Sequence, residues 1–261
     1  MDTSPQAALP VFPDLAGASV FVTGGGSGIG AALTEGFLRQ GARVAFCQRR
    51  DGAPFADAME AATGRRPLAL RCDIADVAAL RETMARAAEA HGPVTRLVLN
   101  AANDDRHATL DVTEEYWDRN QAVNLKSYFF GAQAAIPAMR EAGGGAIVLL
   151  SSISYMMGNA GYPSYTAANA GITSLARSLA REFGASGVRA NALAPGWVLT
   201  EKQRELWVTE EGLSAHLARQ CLPRPLEPAD MVGPCLFLAS DASAAVTGQV
   251  LVADGGVVVT G

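Results

Sequence analysis

The chain has only three histidines and four cysteines in 261 residues. His91, His107 and His216 lie far apart and have no ligand-spaced partner, so the sequence offers no metal site. Cys47, Cys72, Cys221 and Cys235 form no C-x-x-C pair and read as reduced thiols of a cytoplasmic protein. No apolar run approaches the roughly 18 residues of a membrane helix, so no membrane partner is expected. The first 17 residues lack a basic region followed by an apolar core. They read as a short extended N-terminal arm, residues 1–16, and not as a signal peptide. There is no basic excess either. With 21 Lys and Arg against 26 Asp and Glu the net charge is −5, which argues against nucleic acid as a partner.

What is present is a globular composition, 49% apolar and 18% charged. Short β-branched runs alternate with longer alanine-rich stretches. Strands are expected at Ser19–Thr23, residues 43–47, Leu68–Arg71, and residues 96–100, 146–150, 189–193 and 249–253. Helices are expected at residues 28–40, Val77–His91, from Thr113 through 141, and at 162–184. Such alternation implies a single-domain, Rossmann-type, doubly wound α/β fold: seven parallel strands with helices on both faces, covering residues 17–261. The segment 195–228, with prolines at 223, 225 and 228, reads as an irregular flap over a substrate site.

The strongest local signal is the turn Thr23-Gly24-Gly25-Gly26-Ser27-Gly28-Ile29-Gly30 between the first strand and the first helix. A helix N-terminus presents free N–H groups and a positive dipole end, which suit a pyrophosphate. The spacing Gly24-x-x-x-Gly28-x-Gly30 differs from the G-x-G-x-x-G fingerprint, so the turn alone is a moderate indication. Dinucleotide-binding sheets that prefer NAD carry a carboxylate at the tip of the second strand. Here Gln48 is followed by Arg49 and Arg50, whose guanidinium groups suit a 2′-phosphate, so NADP is favoured over NAD.

Further along, Cys72-Asp73-Ile74 follows the third strand and Asn100-Ala101-Ala102 the fourth. Asn124 sits in a helix, Ser151-Ser152 close the fifth strand, Tyr165 lies thirteen residues after Ser152, and Pro195-Gly196 close the sixth. In this order, over residues 15–256, the set resembles the short-chain dehydrogenase/reductase family. The resemblance implies cofactor contacts from Thr23, Gly24, Ser27, Gly28, Ile29, Gly30, Arg49, Arg50, Asp73, Ile74, Asn100, Ala101, Tyr165, Asn169, Pro195, Gly196 and Val198. It places Asn124, Ser152 and Tyr165 in catalytic positions, with a homotetramer as the usual assembly.

The chemistry of those residues is consistent with such roles. Hydride leaves a carbinol carbon only if the hydroxyl proton goes to a base. A phenol of ordinary pKa about 10 needs help to serve near neutrality. The family has a lysine four residues after the tyrosine, and this chain has Asn169 there. Whether natural or introduced, Asn169 can keep a hydrogen bond to a ribose but supplies no charge, which implies slowed hydride transfer.

The run Asn103-Asp104-Asp105-Arg106-His107, with Gln203 and Trp207 in the flap and Gln220-Cys221-Leu222 at its end, is similar to bacterial aldose 1-dehydrogenases of the same family. That likeness implies oxidation of a cyclic sugar to a lactone. Planar polar groups and a stacking aromatic suit a sugar. The candidate substrate contacts are Asn103, Asp105, His107, Ser152, Ser154, Tyr165, Trp197 and Gln203, with Trp207 as a second aromatic. A dehydrogenase of another polar alcohol or polyol, and an impaired NAD(P)-binding protein, remain open on the sequence.

Overall fold

Every residue of the first strand, β1 (Ser19–Thr23), is buried, as a strand covered on both faces requires. Its side chains alternate. Phe21 enters one core layer, while Val20 and Val22 enter the other. The computed structural model describes residues 10–259, so residues 1–9 of the expected arm lie outside the described residues. The part described is not fully extended. Pro13–Leu15 form a 3-10 turn that buries Leu15 in the core.

The remaining strands are β2 (Arg43–Gln48), β3 (Leu68–Arg71), β4 (Arg96–Leu99), β5 (Gly145–Leu150), β6 (Val188–Pro195) and β7 (Val250–Ala253). All pair in parallel, in the order β3-β2-β1-β4-β5-β6-β7. The direction of winding reverses between β1 and β4, and a crevice at such a switch point is where α/β sheets bind ligands. The sixth strand is longer than expected and carries Pro195 into the sheet against Ala253.

Helices cover both faces. One layer contains α1 (Gly28–Arg39), α2 (Ala53–Thr63) and α10 (Val232–Ala239), with Leu33, Phe37, Ala56 and Leu236 against the sheet. The other contains α3 (Val77–His91), α5 (Ser127–Glu141) and α7 (Pro163–Phe183), with Leu80, Ala132, Met139 and Ile172. Asp76 caps α3 by accepting from the N–H groups of Ala78 and Ala79. Thr113 caps α4 (Glu114–Gln121) by accepting from Tyr116 N–H.

The helical stretch expected from Thr113 is not uniform. Between α4 and α5 the residues Ala122–Lys126 form a π-helical turn that carries Asn124. The flap also differs from an irregular loop. Two short helices, α8 (Glu201–Leu206) and α9 (Glu210–Leu217), lie within it, each started by a threonine whose hydroxyl accepts a backbone N–H. A one-turn helix, α6 (Ser154–Met157), follows β5.

Arg189 on β6 ties the C-terminal third to the sheet. Its guanidinium donates to the carbonyls of Leu238 at 2.9 Å and Ser240 at 2.9 Å, and to Ser243 Oγ at 2.8 Å. The two carbonyls belong to the C-terminal end of α10 and its cap, where a cation is favoured.

Candidate active site

At the C-terminal ends of β1 and β4 the chain closes a tight bracket. Thr23 Oγ1 accepts from the N–H groups of Asn100 at 2.9 Å and Ala101 at 3.1 Å. Asn100 Nδ2 donates back to the carbonyls of Thr23 at 3.0 Å and Gly24 at 3.3 Å. Gly24 takes φ +68°, open to glycine at little cost. A Cβ on Gly30 would overlap the Gly24 carbonyl oxygen, and one on Gly26 would overlap the Gln48 side chain. The turn therefore keeps bare backbone facing a groove of about 1860 Å³. Thr23 is buried and braces the turn from behind, whereas Gly24, Ser27, Gly28, Ile29 and Gly30 line the groove.

Arg49, Arg50, Asp73, Ile74, Asn100, Ala101, Pro195, Gly196 and Val198 also line this groove. Arg49 and Arg50 are exposed and stand in no ion pair among the described residues. Asp51 is engaged elsewhere, with Oδ1 accepting from Ala53 N–H at the start of α2. The side chains thus fit a dinucleotide, with the pyrophosphate at the N-terminus of α1 and a cationic wall beside the second strand.

Asn124, Ser152, Tyr165 and Asn169 converge next to it. Both polar atoms of Asn124 are used. Oδ1 accepts from Asn103 N–H at 2.7 Å, and Nδ2 donates to Asn103 O and Asn120 Oδ1, each at 2.9 Å. Asn124 therefore holds the loop after β4 in place. Ser152 Oγ accepts from Ser154 N–H at 3.1 Å and turns the chain at the end of β5.

Burial pushes the Tyr165 phenol up to about 12, and the negative charge of Asp104 adds to the rise. Hydrogen bonding to Ser152 and Asn169 acts in the opposite direction but does not win. No cationic side chain acts on it to offset this. Asn169 is buried, and Ser151 Oγ donates to its carbonyl at 3.0 Å.

The loop after β4 meets the flap in a polar lattice. Asp104 accepts from Lys202 Nζ at 2.8 Å and from Gln203 Nε2 at 2.6 Å. Gln203 Oε1 in turn accepts from Trp197 Nε1 at 2.9 Å. Asn103 Nδ2 donates to Asp105 at 2.8 Å. The Arg106 guanidinium lies 4.0 Å from the ring centre of Tyr162 and 5.4 Å from that of Trp207. Asn103, Asp105, Ser154, Trp197, Gln203 and Trp207 all line the groove.

His107 does not line the groove. Its ring spans Tyr116 Oη at 3.0 Å and Ser164 Oγ at 3.1 Å, so it fastens the loop to α4 and α7. Asp104 is a site residue that the sequence does not mark: it lies in the polar run 103–107, and nothing in the spacing distinguishes it from Asp105.

Comparison with known proteins decides the family. The model of a family described as enoyl-(acyl carrier protein) reductase matches residues 24–258. A protein named probable galactose dehydrogenase, from Rhizobium meliloti, is 49% identical over 94% of this chain and 97% of its own. The chain belongs to the short-chain dehydrogenase/reductase family. D-xylose 1-dehydrogenase of Caulobacter vibrioides is 42% identical, covering 92% of this chain and 95% of its own. L-rhamnose 1-dehydrogenase (NAD(P)(+)) of a Sphingomonas species is 38% identical, covering 94% and 98%. Among solved structures, one described as a short-chain alcohol dehydrogenase from Sinorhizobium meliloti superposes with TM-score 0.90 at 37% identity, covering 95% and 98%. Another, described as an NAD(P)-dependent gluconate 5-dehydrogenase from Beutenbergia cavernae with bound NADP, gives 0.88 at 37%, covering 94% and 98%.

With relatives named as sugar dehydrogenases over nearly its whole length, the chain is an NAD(P)-dependent dehydrogenase of CH–OH groups, with Tyr165 beside the groove.

Proposed function

We propose that the protein oxidises the anomeric hydroxyl of an aldose to the lactone, with NADP preferred over NAD. The observation that carries this reading is the lattice of Asp104, Gln203 and Trp197 over the same groove as Tyr165. A polyol finds planar donors and acceptors there, with the aromatic rings of Trp197 and Trp207 for its C–H face. The relatives named for galactose, xylose and rhamnose support the substrate class.

When bound, the dinucleotide supplies the hydride acceptor. Ser152 Oγ holds the substrate oxygen, and the Tyr165 phenolate takes the hydroxyl proton. Asp104 holds the flap against the loop after β4, which limits water at the reacting carbon. No cationic side chain offsets the raised Tyr165 phenol, so slow turnover near neutrality is the expected consequence of Asn169.

Half-exposed Trp117 on α4 and Phe129 on α5, at 41% and 45%, support a homotetramer packed through these helices. No helix among the described residues is long and apolar enough to cross a membrane.

The test is a panel of pentoses, hexoses and 6-deoxyhexoses, with polyols and a 3-oxoacyl thioester, each with NAD and NADP. Lactone formation from at least one sugar, at higher kcat/KM than any polyol, is the expected result. Thioester reduction without sugar oxidation overturns it.

A further inference from the structure

Behind Tyr165 the groove deepens into a side pocket of about 90 Å³. A water-sized guest needs roughly 10–15 Å³ of such space, so the pocket has room for a larger one. Its walls include Asn124, Tyr128, Ser151, Tyr165, Asn169 and Ile172. No charged side chain lines it.

Tyr128 is the unusual wall residue. It is 1% exposed, and its hydroxyl has no hydrogen-bond partner among the described residues. A buried polar group left so costs about 1–3 kcal/mol, which a guest in the pocket would relieve. Burial and the nearness of Tyr165 both hold the Tyr128 phenol in its neutral form.

Most donors around the pocket are already committed. Asn124 Nδ2 is bound to Asn103 and Asn120, Ser151 Oγ to the Asn169 carbonyl, and Asn169 Nδ2 to the Tyr165 carbonyl. What stays available is the Tyr128 hydroxyl, which accepts as well as donates, and Asn169 Oδ1, which only accepts. Such a set suits a compact guest with several N–H donors and no acceptor, the description of an ammonium group. The pocket shares Ile29, Asn100, Ser151 and Tyr165 with the groove, so a charged guest has an entry path and keeps part of its hydration.

We propose that this pocket binds ammonium or a small protonated primary amine, held by the Tyr128 hydroxyl and Asn169 Oδ1, and that the guest places positive charge beside the Tyr165 hydroxyl. The guest undergoes no covalent change. The groups that face Tyr165 otherwise are Asp104, Ser152, Tyr162, Tyr128 and Asn169, none of them cationic. The rate effect rests on Tyr165 as the base of the reaction described above, whereas binding itself does not.

The experiment has two readouts at neutral pH, with methylammonium chloride as the probe. In the cofactor-free protein, binding is read from broadening of the methylammonium proton resonance, with ammonium chloride as competitor. In turnover, kcat is measured against methylammonium, with tetramethylammonium and potassium chlorides at matched ionic strength. Broadening that ammonium reverses is expected, together with a saturable rise in kcat on the order of tenfold, the gain for one unit of phenol pKa. Tyr128→Phe, which keeps the buried ring, should raise the half-saturating concentration severalfold. Asn169→Lys should remove the response by filling the pocket.

Absence of broadening overturns the proposal. So does equal stimulation by tetramethylammonium, a response that both substitutions leave unchanged, or binding that leaves the kcat of an active enzyme unchanged. Broadening in a protein that oxidises no sugar would instead count against the aldose reading and leave the pocket assignment standing.

Discussion

The side-chain amide of Asn169 donates to the backbone carbonyl of Tyr165, one helical turn behind it, at 2.9 Å. That bond ties the nitrogen to the helix backbone, and the neutral amide brings no charge to the phenol. A lysine at this position would instead reach past the turn with a charged end. Each unit by which that charge lowers the Tyr165 pKa raises the phenolate fraction about tenfold at fixed pH below the pKa. Asn169→Lys should therefore raise kcat near neutrality by about one to three orders of magnitude. The gain should fade as pH climbs towards about 12, where the unmodified phenol ionises unaided. Full pH profiles of both proteins check this, and identical profiles would sink it.

Tyr165→Phe removes only the proton acceptor. Turnover should fall by about 10³-fold, within the range for losing a general base. Dinucleotide affinity, followed by fluorescence quenching, should change by less than about threefold. A comparable loss of affinity would mean that the ring, and not the hydroxyl, carries the effect.

Asp104→Asn should act on two observables at once. Loss of the negative charge lowers the Tyr165 pKa, so the rising limb of the rate profile moves to lower pH. Loss of the Lys202 pairing loosens the flap, so the sugar KM should rise about three- to tenfold, from a charge-assisted contact of about 1 kcal/mol. A limb that moves to higher pH contradicts the assigned charge effect.

Arg49→Ala and Arg50→Ala should each weaken NADP about tenfold while leaving NAD within about twofold, since a charge-assisted phosphate contact contributes about 1.4 kcal/mol or more. Calorimetric titration with both dinucleotides separates the outcomes. Equal losses for both would place the arginines away from the 2′-position.

Gly30→Ala forces a methyl group against the Gly24 carbonyl. Destabilisation by about 2 kcal/mol is expected from overpacking, with dinucleotide binding lost, as read from thermal unfolding with and without NADP. An unchanged midpoint that still rises with cofactor would show that the turn can relax.

The strand Ser19–Thr23 was legible because a strand buried on both faces is a short, apolar, β-branched run. The strand Leu68–Arg71 and the helix Val77–His91 also stand where the sequence places them. The helices of the flap were not legible. Glu201–Leu206 is a single polar turn and a half with no buried stripe, and only its Thr200 cap gave a local cue. The helix α2 hid behind a short alanine-rich run in which Ala56 alone is buried. Within the site, residues in recurrent spacings could be placed beside the groove, but Tyr128 could not. A lone aromatic in a helix reads as core, and its unpartnered hydroxyl emerges only from what other chain segments place around it.

Arg189 also constrains the order in which the molecule can be completed. Its acceptors lie 49 to 57 residues further along the chain, and the strand that covers the free side of β6 pairs with it at an offset of 58 residues, Ala192 against Val250. A growing polypeptide that has emerged only as far as Pro195 holds a guanidinium without its acceptors and an open strand edge beside it. The segment that follows is thus a structural keystone as well as a wall of the groove, and chains released early should be captured by chaperones or lost to aggregation.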